Sequence, residues 1–276
     1  MEDILALVNR AKEDTESLLK GGSRGPRTNF WKPENGDNKI RIMPAYKEGT
    51  AQFWRKVGQH WDVSPNYKGP VFCPQETEDM EGACPICDLV SELRKDKSNL
   101  EAQQMVKDLR VSRSYFMNVV VSKDPVYTAS DVAEFKQENP GQDVPFEVGH
   151  PKVRCYAANI SVFDDILALI QSSQSNITDF DTGREVIIKK IPNKDYRLTR
   201  YQVLPDFNAK PFEHKETVQL PNLDEVGRRM EFEEIKKLLL EGQADNIGAM
   251  SAPALSEPTP TESSDLEAQM RAALGQ

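Results

Sequence analysis

His60-Trp61-Asp62, then Asn66-Tyr67-Lys68-Gly69-Pro70-Val71-Phe72-Cys73, then an acidic loop and Cys84-Pro85-Ile86-Cys87, make one window that holds three of the chain's four cysteines and one of its three histidines. The spacing is His-x12-Cys-x10-Cys-x2-Cys. Thiolate and imidazole are the donors zinc prefers, and four of them close a tetrahedron with no position left for a substrate water. Cys84 and Cys87 can turn both sulfurs toward one ion across the Pro85-Ile86 knuckle, while the longer intervals bring in His60 and Cys73 from flanking strands. The set therefore predicts one structural Zn2+ at His60, Cys73, Cys84 and Cys87. The competing reading is a Cys-x-x-Cys redox pair, but a redox motif has no need of two further donors at ligand spacing. Glu76, Glu78, Asp79 and Glu81 lack the alternating oxygen donors and glycine of a calcium loop and read as a solvated loop tip.

Around this window, 276 residues with 38% hydrophobic content can bury one sizeable core. No apolar run reaches membrane-spanning length and no secretory signal pattern opens the chain, so a soluble intracellular protein is expected. A reducing compartment suits thiolates committed to metal, with Cys155 left over as a small buried hydrophobe. The net charge of −9 argues against nucleic acid only until it is located: residues 1–20 carry −2 and residues 221–276 carry −6, leaving −1 for the body between them. A near-neutral body can still present a basic groove, because steering depends on local potential.

Ile4, Leu7, Val8, Ala11, Leu18 and Leu19 lie at helical spacing, and Gly21-Gly22 ends the run; residues 1–28 are read as an amphipathic helix and a basic hinge. Short strands are expected at Asn38 to Pro44, Phe53 to Val57, Ser112 to Val121 and Lys152 to Ala157, with helices at Asp88 to Arg94, Leu100 to Leu109, Ser130 to Gln137 and Val162 to Ile170. In Ser112 to Val121 cations and rings enter together before the strand turns wholly apolar. Such a strand can offer rings to bases and guanidinium groups to phosphates, although Tyr115 and Phe116 face opposite ways and at least one of them belongs to a core. Glu185 to Ile191 and Tyr196 to Val203 read as a hairpin with the densest positive charge in the chain. Lys189, Arg197, Arg200 and Tyr201 are its candidate nucleic-acid contacts; a solvated basic edge is the plainer alternative. Asn222 to Leu240 reads as a charged helix within a segment 221–241, and the Ala/Ser/Pro/Thr-rich acidic tail 242–276 as disordered.

Trp31-Lys32, Ile40-Arg41-Ile42-Met43-Pro44, the four metal donors and above all Ser114-Tyr115-Phe116-Met117-Asn118-Val119-Val120-Val121-Ser122-Lys123-Asp124-Pro125 resemble the single-stranded DNA-binding, or helix-destabilising, proteins of T-even-type bacteriophages. The likeness is close over residues 31–125 and looser to about Leu204. It implies an α+β chain: an OB-fold-like β-barrel core over residues 29–220, with an inserted zinc subdomain at about 58–111 and a cleft between them for the strand. Position by position it implies cleft contacts at Arg41, Arg110, Arg113, Tyr115 and Phe116, and more loosely at Lys152, Arg154 and Tyr156. It also implies self-association through the N-terminal segment, replication or recombination proteins bound by the tail, and a setting in the cytoplasm of an infected bacterium. The family's short basic arm near the start is replaced here by the amphipathic helix, and the tail is less acidic than the family pattern.

The function expected is non-catalytic coating of single-stranded DNA in phage replication, recombination and repair. A zinc-containing adaptor that acts through protein contacts is the alternative. A nuclease or deaminase is disfavoured, since no histidine-carboxylate cluster leaves an open metal position and the His-x-Glu deaminase pattern is missing.

Overall fold

The computed structural model describes residues 30–240 apart from Lys68, Gln174 and residues 195–198. The helix and hinge expected over 1–28, the tail 242–276 and Arg197 lie outside the described residues. All described residues fall in the unit Met1–Gly242.

In chain order the elements are β1 (Phe30–Trp31), β2 (Gly36–Ile42), β3 (Trp54–His60), β4 (Val71–Phe72), α1 (Pro85–Leu93), α2 (Leu100–Leu109), β5 (Ser112–Val121), α3 (Ala129–Glu138), β6 (Val153–Asn159), α4 (Ile160–Ser173), β7 (Arg184–Ile191) and β8 (Arg200–Ala209). A 3-10 turn at Leu223–Glu225 and a helix over 232–240 follow.

β5 organises the sheet. Its run of aromatic and β-branched residues suits a pleated, two-sided burial. One edge pairs antiparallel with β6 from Ser114↔Asn159 to Val120↔Val153. The other edge is shared: β3 takes its first half, from Gln59↔Ser112 to Trp54↔Met117, and β2 takes its end, from Ile42↔Val119 to Ile40↔Val121. The full order is β1-β6-β5-β2-β7-β8, with β3 and β4 branching from β5. Among the described residues no ladder joins β1 to β8, so the sheet is open where a closed barrel was expected.

Met117, Val119 and Val121 of β5 join Ile40, Ile42, Tyr156, Ile188 and the α4 residues Val162, Phe163 and Ile166 in the main core. Each such side chain contributes roughly 1.5–3 kcal/mol on burial. The opposite face carries Phe116, Cys155 and Val57, covered by Phe72, Leu223 and Val226. With both faces covered, β5 is apolar from Phe116 onward save for the buried Asn118, whose Nδ2 donates to the Pro221 carbonyl at 2.9 Å.

The start of the strand read at Tyr196 lies outside the described residues; β8 runs from Arg200 through Pro205 to Ala209, past a bulge at Arg184/Val186. Proline reads as a strand terminator, yet β8 is the last strand of the sheet, where a missing N–H on the free side costs little. Of the helix expected across Asn222 to Leu240 only 232–240 forms; the chain before it turns at Gly227, whose φ is +88° and whose Cβ would lie 2.1 Å from Phe72 Cζ. Residues 221–230 instead form a strap. Arg55, 1% exposed, donates from Nη1 to the carbonyls of Leu223 (2.8 Å) and Val226 (3.1 Å) and holds the strap on β3. Beyond it Met230, Ile235 and Leu239 pack with Val63, Val71, Ile86 and Leu109, the cluster that encloses the cysteines.

Candidate metal centre and nucleic-acid interface

Each donor is positioned by an element end. His60 closes β3 opposite Val71, Cys73 follows β4, Cys84 is the N-cap residue of α1, and Cys87 lies in its first turn with Pro85 at the start. Proline there forfeits an N–H that the helix could not have used. The backbone N–H groups of Ile86 and Cys87 point at the Cys84 sulfur. His60 Nε2 stands 3.4 Å from Cys84 Sγ and 3.5 Å from Cys87 Sγ, and Cys73 and Cys87 are 3.5 Å apart. All four ligand atoms lie within 4.8 Å of one another. A tetrahedron with bonds of about 2.3 Å has edges of about 3.7 Å, so the four atoms fit around one divalent ion.

The tautomer fits as well. His60 is fully buried, and its Nδ1–H donates to the Leu109 carbonyl at 2.7 Å, which leaves the Nε2 lone pair facing the sulfurs. With thiols alone in this pocket, hydrogen bonds from Cys73 and then Cys87 pull the Cys84 thiol well below the usual thiol range, while Cys73 and then Cys84 push Cys87 above it. A bound cation would favour the ionised form of all three.

Of the acidic loop after Cys73, Glu81 is exposed as expected, but Glu76, Glu78 and Asp79 are held against the sheet. Glu76 receives both Arg113 Nε (2.9 Å) and Arg113 Nη2 (2.6 Å), and Lys56 Nζ at 3.2 Å. Asp79 pairs with Arg55 and Arg229, and Glu78 accepts from Gln52 and from the Lys56 N–H. Gly58 makes this possible, because a Cβ there would lie 2.5 Å from Glu76 Cβ. The loop thus lies flat on β3 and ties the metal centre to the sheet.

The cation and ring positions divide into two groups. Arg110 is exposed at the C-terminus of α2 and its side chain donates to no partner among the described residues; Arg113 is exposed but held by Glu76. Tyr115, half-buried, stacks on Phe163 at 3.8 Å and 9° between ring planes, directly across from Lys56. Arg200 is exposed and its side chain is without a partner among the described residues, Lys189 is 3.7 Å from Asp37, and Tyr201 packs partly on the main core.

The other group is turned inward. Arg41 is buried, with Nη1 on the Lys210 carbonyl at 3.0 Å and Nη2 on that of Asp179. Phe116 is fully buried against the rings of Phe30 and Phe72. Tyr156 is buried edge-on to Trp31, and that burial raises its phenol. Lys152 is paired with Asp131 and Asp124, and Arg154 with Asp124.

Lys56 was not among the residues singled out from the sequence. Its signal was the alternation in Trp54-Arg55-Lys56-Val57, which puts Arg55 and Lys56 on opposite faces, but which face meets Arg113 depends on a pairing with β5 that no local turn fixes.

A cysteine-histidine knuckle is folded against an open mixed sheet, with cations and a ring along the junction. Residues 34–142 match the family model described as gp32 DNA binding protein like. Over that span the chain is therefore similar to the DNA-binding domain of gp32-type single-stranded DNA-binding proteins, a family that binds DNA and does not catalyse. The matched span contains β2 to β5, all four donors, Arg110, Arg113 and Tyr115. No curated protein matches the chain.

Proposed function

We propose that this protein coats single-stranded DNA with little sequence preference, and that its metal is one zinc ion with a structural part. The observation that carries this reading is the Leu109 carbonyl. It accepts the proton of the ligand His60, so the metal centre fixes the end of α2 and with it Arg110, Val111 and the Arg113 end of β5. His60, Cys73, Cys84 and Cys87 would hold the ion, which supplies crosslinking of four chain segments and no chemistry on DNA.

Backbone phosphates would meet Arg110, Arg113 and Lys56, with Lys189, Arg197 and Arg200 of the hairpin as further contacts, and Tyr115 would stack with bases. Arg41, Phe116, Tyr156, Lys152 and Arg154 act behind this face by holding the sheet and its loops in place. The sharing of one edge of β5 between β3 and β2 supports an OB-like core in open form. Phage replication, recombination and repair in the host cytoplasm is the setting proposed, with the N-terminal segment for self-association and the tail for replication or recombination proteins.

Titration of poly(dT) and of duplex DNA at several salt concentrations tests the reading. Tight binding to the single strand is expected, with log K falling against log[salt] by about 0.7 for each phosphate engaged. Equal affinity for duplex, or no dependence on salt, would overturn it.

A further inference from the structure

Glu76 is wedged between two exposed cations of neighbouring strands. It lies over Gly58 in the space a side chain would fill, between Lys56, two residues along β3, and Arg113, the residue opposite Gly58 on β5. Both Glu76 oxygens are used on Arg113, and one is shared with Lys56. This fork-on-fork arrangement is also how a guanidinium holds a phosphate. The trio remains open to solvent: the side chains of Arg113, Lys56 and Glu76 are 46%, 39% and 25% exposed. The half-buried ring of Tyr115 is the next residue on the same face, across from Lys56.

We propose that Glu76 is a built-in phosphate surrogate: in the free protein its carboxylate occupies the position that a backbone phosphate of the strand takes on binding. This rests on the reading of the protein as a single-strand binder. Ion pairs this exposed are individually weak, so a polyanion that engages several cations at once can displace the carboxylate. The displacement has a thermodynamic signature. When a phosphate replaces Glu76, the freed carboxylate gathers a cation from solution and cancels part of the counterion release that the new contact produces. Glu76 therefore lowers both the affinity and its salt dependence, and leaves the two cations neutralised and correctly oriented between binding events.

The test is poly(dT) binding by the full chain carrying Glu76→Gln, which keeps the shape and removes the charge. Affinity near 0.1 M salt should rise roughly three- to tenfold, and the log-log salt slope should steepen by about 0.7. Arg113→Gln should cost more affinity in the Glu76→Gln background than in the unaltered chain. Unchanged or weaker binding with an unchanged slope, with the metal content of the variant intact, would mean that Glu76 only braces its loop and would overturn the proposal. Should the variant lose its metal, the unaltered chain decides: the Arg113 Nε–H resonance, assigned with Arg113→Lys, must shift when a dT oligonucleotide is added, and a stationary resonance overturns the proposal. Failure of the unaltered chain to bind poly(dT) would remove the function reading along with this one, whereas binding that is indifferent to Glu76→Gln removes this one alone.

Discussion

Arg55→Met tests how the strap is held. The substitution keeps most of the buried stem and removes the guanidinium, which donates to the Val226 carbonyl at 3.1 Å, to the Leu223 carbonyl at 2.8 Å and to Asp79 at 2.9 Å. The three acceptors suffer unequally. The Leu223 carbonyl still receives the Val226 N–H, and Asp79 still has Arg229, so each loses a share of its bonding. The Val226 carbonyl loses its donor and stays buried, at a cost of about 1–3 kcal/mol. With about 1 kcal/mol for each of the other two, the loss comes to about 3–5 kcal/mol. For a unit of this size each kcal/mol lowers the melting temperature by about 2–4 °C, so thermal unfolding followed by circular dichroism should shift down by about 10 °C. Limited proteolysis should cut within 221–230 before the sheet unfolds. A shift under about 2 °C would mean that water already serves these carbonyls and that Arg55 is not the tie between strap and β3.

The two adjacent aromatics of β5 should separate binding from packing. Tyr115→Ala is expected to weaken poly(dT) binding by about 1–3 kcal/mol and to cost about 0.5–1.5 kcal/mol of stability through the lost stack on Phe163, whereas Phe116→Ala should destabilise by about 3–5 kcal/mol and leave the affinity of the folded fraction alone; equal effects in both assays would contradict the assignment of faces. Asp131 governs an acid limb of stability. Burial alone would raise its carboxyl, but Lys152 and the Thr128 hydroxyl and N–H hold it down to about 2 from 3.8. A depressed carboxylate stabilises above its unfolded value and loses that contribution as pH falls toward its folded one. The gap in melting temperature between the unaltered chain and Asp131→Asn should therefore be full at pH 7 and close between about pH 4 and 2, and a gap constant with pH would refute the pairing.

The metal donors were legible because their signal is local: four soft side chains at short spacing have few uses besides gathering on one ion. β5 was legible for the same reason, since its apolar half states that both faces are covered. What the sequence concealed depends on distant partners. A cation on a strand has the same appearance whether it waits for a phosphate, as proposed for Arg110, or is bound to carbonyls 138 and 169 residues away, as Arg41 is. The loop of Glu76, Glu78 and Asp79 looked solvated because its cations lie on β3, on β5 and, for Arg229, 150 residues further along the chain. The break at Gly227 likewise follows from the ring of Phe72, which periodicity in 222–240 cannot reveal.

The link from the four donors through the Leu109 carbonyl to the Arg110–Arg113 end of β5 is tested most directly by poly(dT) affinity of the same preparation before and after stoichiometric metal removal, with metal content measured on each sample. Loss of a structural ion of this kind disorders the segments it joins, and an affinity at least about a hundredfold weaker is expected, restored when zinc is returned. Metal-free protein that binds poly(dT) as tightly as the loaded form would show that the cations and the ring are held by the sheet alone.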